Sequence, residues 1–184
     1  MTELSLHILD IVQNSIKAGA DLIEIKVNED TLANCLDIEI IDNGCGMEEE
    51  FLKDVVNPFR TTRTTRKVGM GLSLLKNACE LTGGNLFITS QVGEGTSVKA
   101  SFVHDSIDRQ PLGDMASTIS TIIGGNDKID YIYTHTYNQD SFEFSTKEIR
   151  KVLGEEVELS NLDVLNWIEE YISEQEQILY GGAK

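Results

Sequence analysis

The order of elements predicts an α+β fold, a two-layer α/β sandwich with a mixed sheet and helices on one face, extended by a C-terminal helix–hairpin–helix region. Three observations carry this expectation. Residues 4–18 repeat apolar side chains at helical spacing. Residues 23–27 and 36–40 alternate apolar and polar side chains, as half-buried strands do. A further helix and two further strands follow, before a stretch from about residue 105 with a hairpin pattern of its own. The 184 residues suit one domain with a substantial extension, a core over 1–104 and an extension over 105–184.

Taken in order, Leu4, Ile8, Ile11, Val12, Ser15 and Ile16 form the stripe of the first helix, and Gly19 ends it. His7, Asp10 and Asn14 lie three and four apart and share a second face, where His7 reads as a partly exposed polar residue. Two strands follow, around Ile23, Ile25 and Val27 and around Leu36, Ile38 and Ile40. The second runs directly into Asp42-Asn43-Gly44-Cys45-Gly46. An acid at a strand end followed by glycines can meet a ligand at close range, although the same residues also make a plain Asn-Gly turn. Residues 48–56 read as a short helix closed by Asn57-Pro58. Gly69-Met70-Gly71 then opens a helix whose apolar set is Leu72, Leu74, Leu75, Ala78 and Leu81. Glycines before a helix expose free backbone N–H groups at the positive end of its dipole, which suits phosphate. Strands over 86–90 and 96–103, joined by Gly93-Glu94-Gly95, complete the core.

The charge balance bears on partners. With 31 acidic and 15 basic residues the chain carries a formal charge of −16, which disfavours nucleic acid and anionic membrane surfaces. The exception is local: Arg60, Arg63, Arg66 and Lys67 crowd beside the glycines, interleaved with threonines, and read as an anion-binding lid. No apolar run approaches the ~20 residues of a membrane span, and the first residues lack the pattern of a signal peptide. Cys35, Cys45 and Cys79 are odd in number and widely spaced, which fits free thiols in a reducing cytoplasm.

Four of these stretches resemble, in order, the motifs of the GHKL superfamily, which joins gyrase, a heat-shock chaperone, sensor histidine kinases and a mismatch-repair ATPase. D-I-V-Q-N-S-I-K-A-G-A resembles the N box, D-N-G-C-G-M the first glycine box, V-G-M-G-L-S-L-L-K the second, and V-G-E-G-T the terminal Gly-Thr turn. The resemblance covers roughly residues 4–103. It implies a Bergerat-type, histidine-kinase-like ATPase fold that binds ATP with Mg²⁺. Asn14 would ligate the metal, and Asp42 would accept the adenine amino hydrogen, with Gly44 and Gly46 allowing close approach beside Met47. Gly69, Met70, Gly71 and Leu72 would face the phosphates at the helix start, and Thr96 would help hold the base. Arg63, Arg66 and Lys67 are candidates for phosphate charge by composition and place rather than by a family position.

Two departures accompany the resemblance. Members that hydrolyse ATP or act as kinases commonly carry a glutamate, or in many sensor kinases a histidine, four residues before the metal asparagine, whereas this chain has Asp10, a methylene shorter than glutamate. Asp10 is therefore either the catalytic base or a metal-shell or structural carboxylate. The N box also begins close to residue 1, without the elements that usually precede it and without a phosphoacceptor-histidine segment.

Beyond residue 104 the pattern leaves the family. Leu112, Met115, Ile119 and Ile122 mark a helix ending at Gly124-Gly125, and residues 129–134 and 142–144 form a hairpin around Asn138-Gln139-Asp140. Ser145-Thr146-Lys147-Glu148 reads as a capping box, and Ser160-Asn161-Leu162-Asp163 as a second N-cap before a final helix. The hairpin either completes the nucleotide-binding sheet or forms a separate partner-recognition module. The face bearing Trp167, Tyr171 and Ile178 reads as core, with a homodimer surface as the alternative. Together these features predict an ATPase or a serine/threonine-type protein kinase acting on a separate polypeptide. The alternative is a non-catalytic module whose partner affinity follows ATP or ADP.

Overall fold

The computed structural model describes residues 2–55, 70–154 and 156–181. Its elements are α1 (Leu4–Lys17), β1 (Leu22–Asp30), β2 (Cys35–Asp42), α2 (Glu49–Asp54), α3 (Gly71–Leu81), β3 (Asn85–Gln91) and β4 (Gly95–Val103). These are followed by α4 (Met115–Gly125), β5 (Asp130–Tyr137), β6 (Asp140–Ser145), α5 (Thr146–Leu153) and α6 (Leu162–Leu179). No described helix is long and apolar enough to cross a membrane.

All six strands belong to one sheet, in the order β3-β4-β2-β1-β5-β6. The pairings are antiparallel except between β1 and β5, which run parallel. Because side chains alternate across a strand, one face of every strand can be apolar, and the register lines these faces up. Phe144, Tyr133, Ile25, Ile40, Val98 and Ile88 make one continuous row across the sheet. Helices α1, α3, α4 and α6 bury their stripes against this face. The opposite face is polar, with Lys26 beside Glu24 (3.2 Å) and Lys99 beside Asp37 (3.1 Å).

The C-terminal hairpin extends this same sheet: Leu22 to Glu29 on β1 pair with Asp130 to Tyr137 on β5. A parallel neighbour needs a crossover, and α4 supplies it. The segment leading into α4 has a second task. No side chain caps the start of α1, and its first N–H groups instead reach backbone carbonyls of this strap, Leu4 N to Pro111 O (2.9 Å) and Ser5 N to Leu112 O (2.8 Å). Orphan donors at a helix start need such partners when they are buried.

The strap also covers His7, which is 3% exposed rather than partly exposed. Its Nε2 lies 3.0 Å from Gln110 Oε1. Burial depresses its pKa, partly offset by Gln110, so the ring is neutral near pH 7 and Nε2–H is the donor.

Three further expectations change. In α3 the buried set is Leu72, Leu75, Ala78 and Cys79; Leu74 and Leu81, seven residues apart on the other side of the helix, are 43% and 60% exposed. Ser145 makes no capping bond, because it is still strand, paired with Ile132. Thr146 acts at this corner instead, its buried Oγ1 accepting from Tyr131 N at 2.8 Å. Third, Trp167 and Ile178 on α6 are 47% and 67% exposed and are not core. Asn161 does cap α6, its side chain accepting from Asp163 N at 2.9 Å.

The face of α6 that points inward closes a polar cluster in the otherwise apolar core. His135 is fully buried in the row Phe142–His135–Val27–Ile38–Ala100–Leu86, and Glu29 is 7% exposed in the next row of the same face. Glu29 Oε1 lies 3.0 Å from His135 Nε2, and Oε2 lies 3.0 Å from His104 Nε2. From α6, Glu176 Oε1 sits 3.3 Å from His135 Nδ1 and accepts from Tyr133 Oη at 2.9 Å. Tyr180, just past the helix end, donates to Glu29. Buried polar groups are tolerable only when paired, and each of these is.

Candidate nucleotide-binding site

At the opposite end of the sheet lies a cleft of about 690 Å³ between α1, the ends of β2 and β4, and α3. Its floor is apolar, from Ile11, Leu72 and Val98, and its polar lining comes from Asn14, Ser15, Asp42 and Thr96, with Lys17 and Glu48 also on the wall. Flat apolar walls with a few convergent polar groups are the usual build of a small-molecule pocket of this size.

Asp42, the last residue of β2, is 8% exposed. Its carboxylate is held from two sides. Ser15 Oγ donates to Oδ2 at 2.5 Å, and the Gly44 amide donates to Oδ1 at 2.9 Å. A carboxylate oxygen has more than one acceptor position, so Asp42 is oriented while keeping capacity toward the cleft.

The glycines around it are explained by close approach. Gly44 packs against Ala18, and Cys45 N donates to Ala18 O at 2.9 Å, which ties the turn to the end of α1. Gly46 has φ +67°, and a Cβ there would lie 2.0 Å from Gln91 O. Gly95 has φ +127°, and its Cβ would lie 1.9 Å from Asp42 O, so the final turn is seated on the acid's own backbone. Thr96 stands opposite Asp42 in the β2–β4 ladder, and its Oγ1 is 2.8 Å from Ser90 Oγ. Ser90 Oγ in turn accepts from Met47 N at 2.8 Å, fixing the loop that carries Met47 into the cleft wall.

Of the sequence-predicted residues, Asn14, Asp42, Gly46, Met47, Leu72 and Thr96 line this one cleft, and Gly44 stands behind Asp42. Asp10 and Gly71 do not line it. They meet each other beyond its α3 end, where a Cβ on Gly71 would be 3.1 Å from Asp10 Oδ2. Met70 is 79% exposed at the start of α3, where no side chain caps the helix. Arg63, Arg66, Lys67 and Gly69 lie outside the described residues, as do Pro58 and Phe59.

Sequence reasoning missed Ser15 as a site residue. It sits in the apolar stripe of α1, and a hydroxyl in an otherwise aliphatic stripe is the signal that could have marked it. Removing it leaves a buried carboxylate oxygen short of a donor. Ser15→Ala is expected to weaken nucleotide binding by about tenfold, the scale of one lost hydrogen bond to a charge. Fluorescence polarisation with a labelled adenine nucleotide checks this, and unchanged affinity would show that Asp42 needs no such support.

Fold and cleft thus define a class: a mixed-sheet α/β sandwich with a buried acid and a glycine-rich rim at the strand ends, built for a flat ligand. Residues 2–106 match the family described as histidine kinase-, DNA gyrase B- and HSP90-like ATPase. The chain belongs to that family and is by class an ATP-binding domain. Among its relatives, the sensor histidine kinase YxdK of Bacillus subtilis is 32% identical over 109 residues, covering 54% of this chain and 32% of that protein. The sensor kinase CckA of Brucella abortus is 32% identical over 82 residues, covering 44% of this chain and 9% of its own length. The non-motile and phage-resistance protein of Caulobacter vibrioides is 30% identical over 100 residues, with 50% and 12% covered. The chain therefore spans less than a third of each of these relatives. Among solved structures, the N-terminal domain of a DNA repair protein superposes with a TM-score of 0.54 at 20% identity, covering 84% of this chain and 58% of that one. That coverage exceeds what the family match spans, so the shared fold takes in part of the C-terminal region as well.

Proposed function

We propose that the cleft binds Mg²⁺-ATP and that the protein transfers or hydrolyses the γ-phosphoryl group, as an ATPase or as a serine/threonine-type kinase acting on a separate polypeptide. The observation that carries this reading is the Asp42 carboxylate, buried beside an apolar floor and held by Ser15 and Gly44. Adenine presents an amino donor on a flat apolar ring, and this is the acceptor and the surface it needs.

The residues present fit the metal as well. Mg²⁺ takes oxygen ligands and keeps several waters, so one protein oxygen, from Asn14 in the cleft wall, suffices beside the phosphates. When bound, the ion screens the charge of the triphosphate. The chain's own residues do the remainder. Thr96 and Met47 flank the base, and the uncapped N–H groups of α3 at Gly71 and Leu72 face phosphate oxygens. By composition and place in the sequence, Arg63, Arg66 and Lys67 would bring positive charge to the phosphates and Gly69 an open backbone. Asp10, seated against Gly71 at that helix start, orients and deprotonates the attacking water or hydroxyl. Small anti-sigma-type serine kinases are the nearest functional analogy, and the analogy is one of fold.

The second reading is an ATP/ADP-gated binding module with negligible chemistry. It draws on one observation, that Asp10 packs on Gly71 and does not line the cleft. γ-Labelled ATP followed with Mg²⁺ separates the two. Under the first reading Asp10→Asn lowers phosphate release or transfer by about 100-fold, the usual scale for loss of a general base, with nucleotide affinity unchanged. Tight binding without release or transfer in the wild type, with or without a candidate acceptor, would leave the gated module.

A further inference from the structure

The outer side of α6 is a surface without a partner among the described residues. Trp167 and Ile178 are 47% and 67% exposed, Leu162 at the helix start is 71% exposed, and Trp167 stacks on Tyr171 with ring centroids 5.3 Å apart. Residues 167, 171 and 178 are four and seven positions apart, so Trp167, the half-buried Tyr171 and Ile178 form one apolar stripe along α6. The inward side is a different set, with Ile168, Ile172 and Leu179 buried. Stacking keeps Trp167 ordered in the open, at little further entropic cost on contact, and tryptophan is the side chain most enriched at the energetic centre of interfaces.

Charge indicates what fits there. From residue 152 to 183 the chain has eight acids and neither Lys nor Arg. Asp163, Glu170 and Glu174 are exposed beside the stripe. A second copy docked through α6 would set these same acids against each other. The bases of α5 are already paired, Lys147 and Arg150 with Asp130 and Lys151 with Glu148, so they offer a second copy less than unpaired cations would. The complementary occupant has apolar side chains flanked by Lys or Arg, which can also lie over the indole face.

We propose that α6 is the docking face for a basic amphipathic helix of another protein, with Trp167, Tyr171 and Ile178 as the apolar seat and Asp163, Glu170 and Glu174 as the charged rim.

Trp167 is the single tryptophan of the chain, so its emission reports from the stripe itself. The probe is a Trp-free Lys/Leu peptide that folds as an amphipathic helix matching α6 in length, compared with a peptide of the same composition in scrambled order. The amphipathic peptide is expected to shift Trp167 emission to the blue and to bind about tenfold more tightly than the scrambled one. Trp167→Ala and Ile178→Ala, which leave the charge unchanged, are each expected to weaken it about tenfold by peptide anisotropy. Both replace exposed side chains, and circular dichroism confirms that the variants are folded. Equal binding of the scrambled peptide, or unchanged binding by both variants, would reduce the effect to bulk charge and overturn the proposal. A dimer in sedimentation equilibrium that Ile178→Glu dissociates would also overturn it, in favour of a second copy.

Discussion

Asp42→Asn is expected to weaken ATP binding by about 100-fold in calorimetry, with the protein still folded by circular dichroism. The magnitude follows from the arrangement around the acid. Ser15 Oγ and the Gly44 amide both donate to its two oxygens, so the carboxylate is surrounded by donors. An amide in its place must point its NH₂ at Ser15, at Gly44 or at the adenine amino group. Two of these are donors outright, and a buried donor–donor contact costs about 1–3 kcal/mol, or up to about 100-fold. Ser15 can reverse its hydroxyl and accept, so the folded state has a way to accommodate the change, whereas an adenine amino group that shares the Ser15-side oxygen then faces the amide NH₂ and loses its acceptor. Unchanged affinity would refute the adenine assignment and, with it, the reading of the cleft.

The second large effect lies about 20 Å away along β1, at the other end of the strand. Glu29→Gln keeps the shape of the side chain but removes the charge between His135 and His104. Breaking a buried pair outright costs about 3–5 kcal/mol. Glu176 still faces His135 Nδ1 in this variant, so the loss is expected near the lower end of that range. For a chain of this size each kcal/mol lowers the thermal midpoint by roughly 2–4 °C. A midpoint within ~2 °C of wild type would mean that the cluster contributes little to attaching α6.

The same cluster sets a pH profile, with the signs fixed by the directions of the shifts. Burial alone would raise the Glu29 pKa, but hydrogen bonds from His135, Tyr180 and His104 outweigh it and hold the carboxyl at about 2, from an ordinary 4.5. A depressed carboxylate contributes stability that is present above pH 4.5 and lost as pH falls toward 2. Burial alone would lower the His135 pKa, but hydrogen bonds donated to Glu176 and Glu29, and the charges of those carboxylates, raise it above 6.5. A raised imidazole contributes stability that is full below 6.5 and lost as pH climbs through the elevated value. The contribution of this cluster to thermal stability is therefore expected to be greatest between about pH 4.5 and 6.5 and to decline on both sides, read as the midpoint difference between wild type and His135→Gln across pH.

Much of the fold was legible because it is local. The alternations at Ile23, Ile25 and Val27 and at Leu36, Ile38 and Ile40 mark strands whatever they pair with, and the stripe from Leu4 to Ile16 marks a helix wherever it packs. Part of the cleft's lining was legible too, since Asn14, Asp42 and Thr96 sit within short patterns. What stayed hidden depends on contacts between distant parts of the chain. His7 looks exposed until Gln110, 103 residues later, covers it. Ser15 looks like filler until β2 brings Asp42 against it from 27 residues away. Ser145 has a helix-capping sequence, yet β6 claims its backbone through Ile132. Trp167 has the composition of core, but Ile168 and Ile172 occupy the inward side of α6, and a helix has only one.

The strap across the start of α1 bears on how the protein is made. A nascent chain that has emerged only as far as residue 104 holds both glycine motifs and all four strands that they join. It still lacks acceptors for the Leu4 and Ser5 amides, and β1 still has an unpaired edge, because Pro111, Leu112 and β5 come later. Long-range closures of this kind are slow, and a bare strand edge is open to wrong partners in the meantime. Competence to hold nucleotide should therefore arise in a single late step of synthesis, once residues up to about 137 are free to fold back. A fragment cut at the limit of the family match would stop short of those residues and stay unfinished.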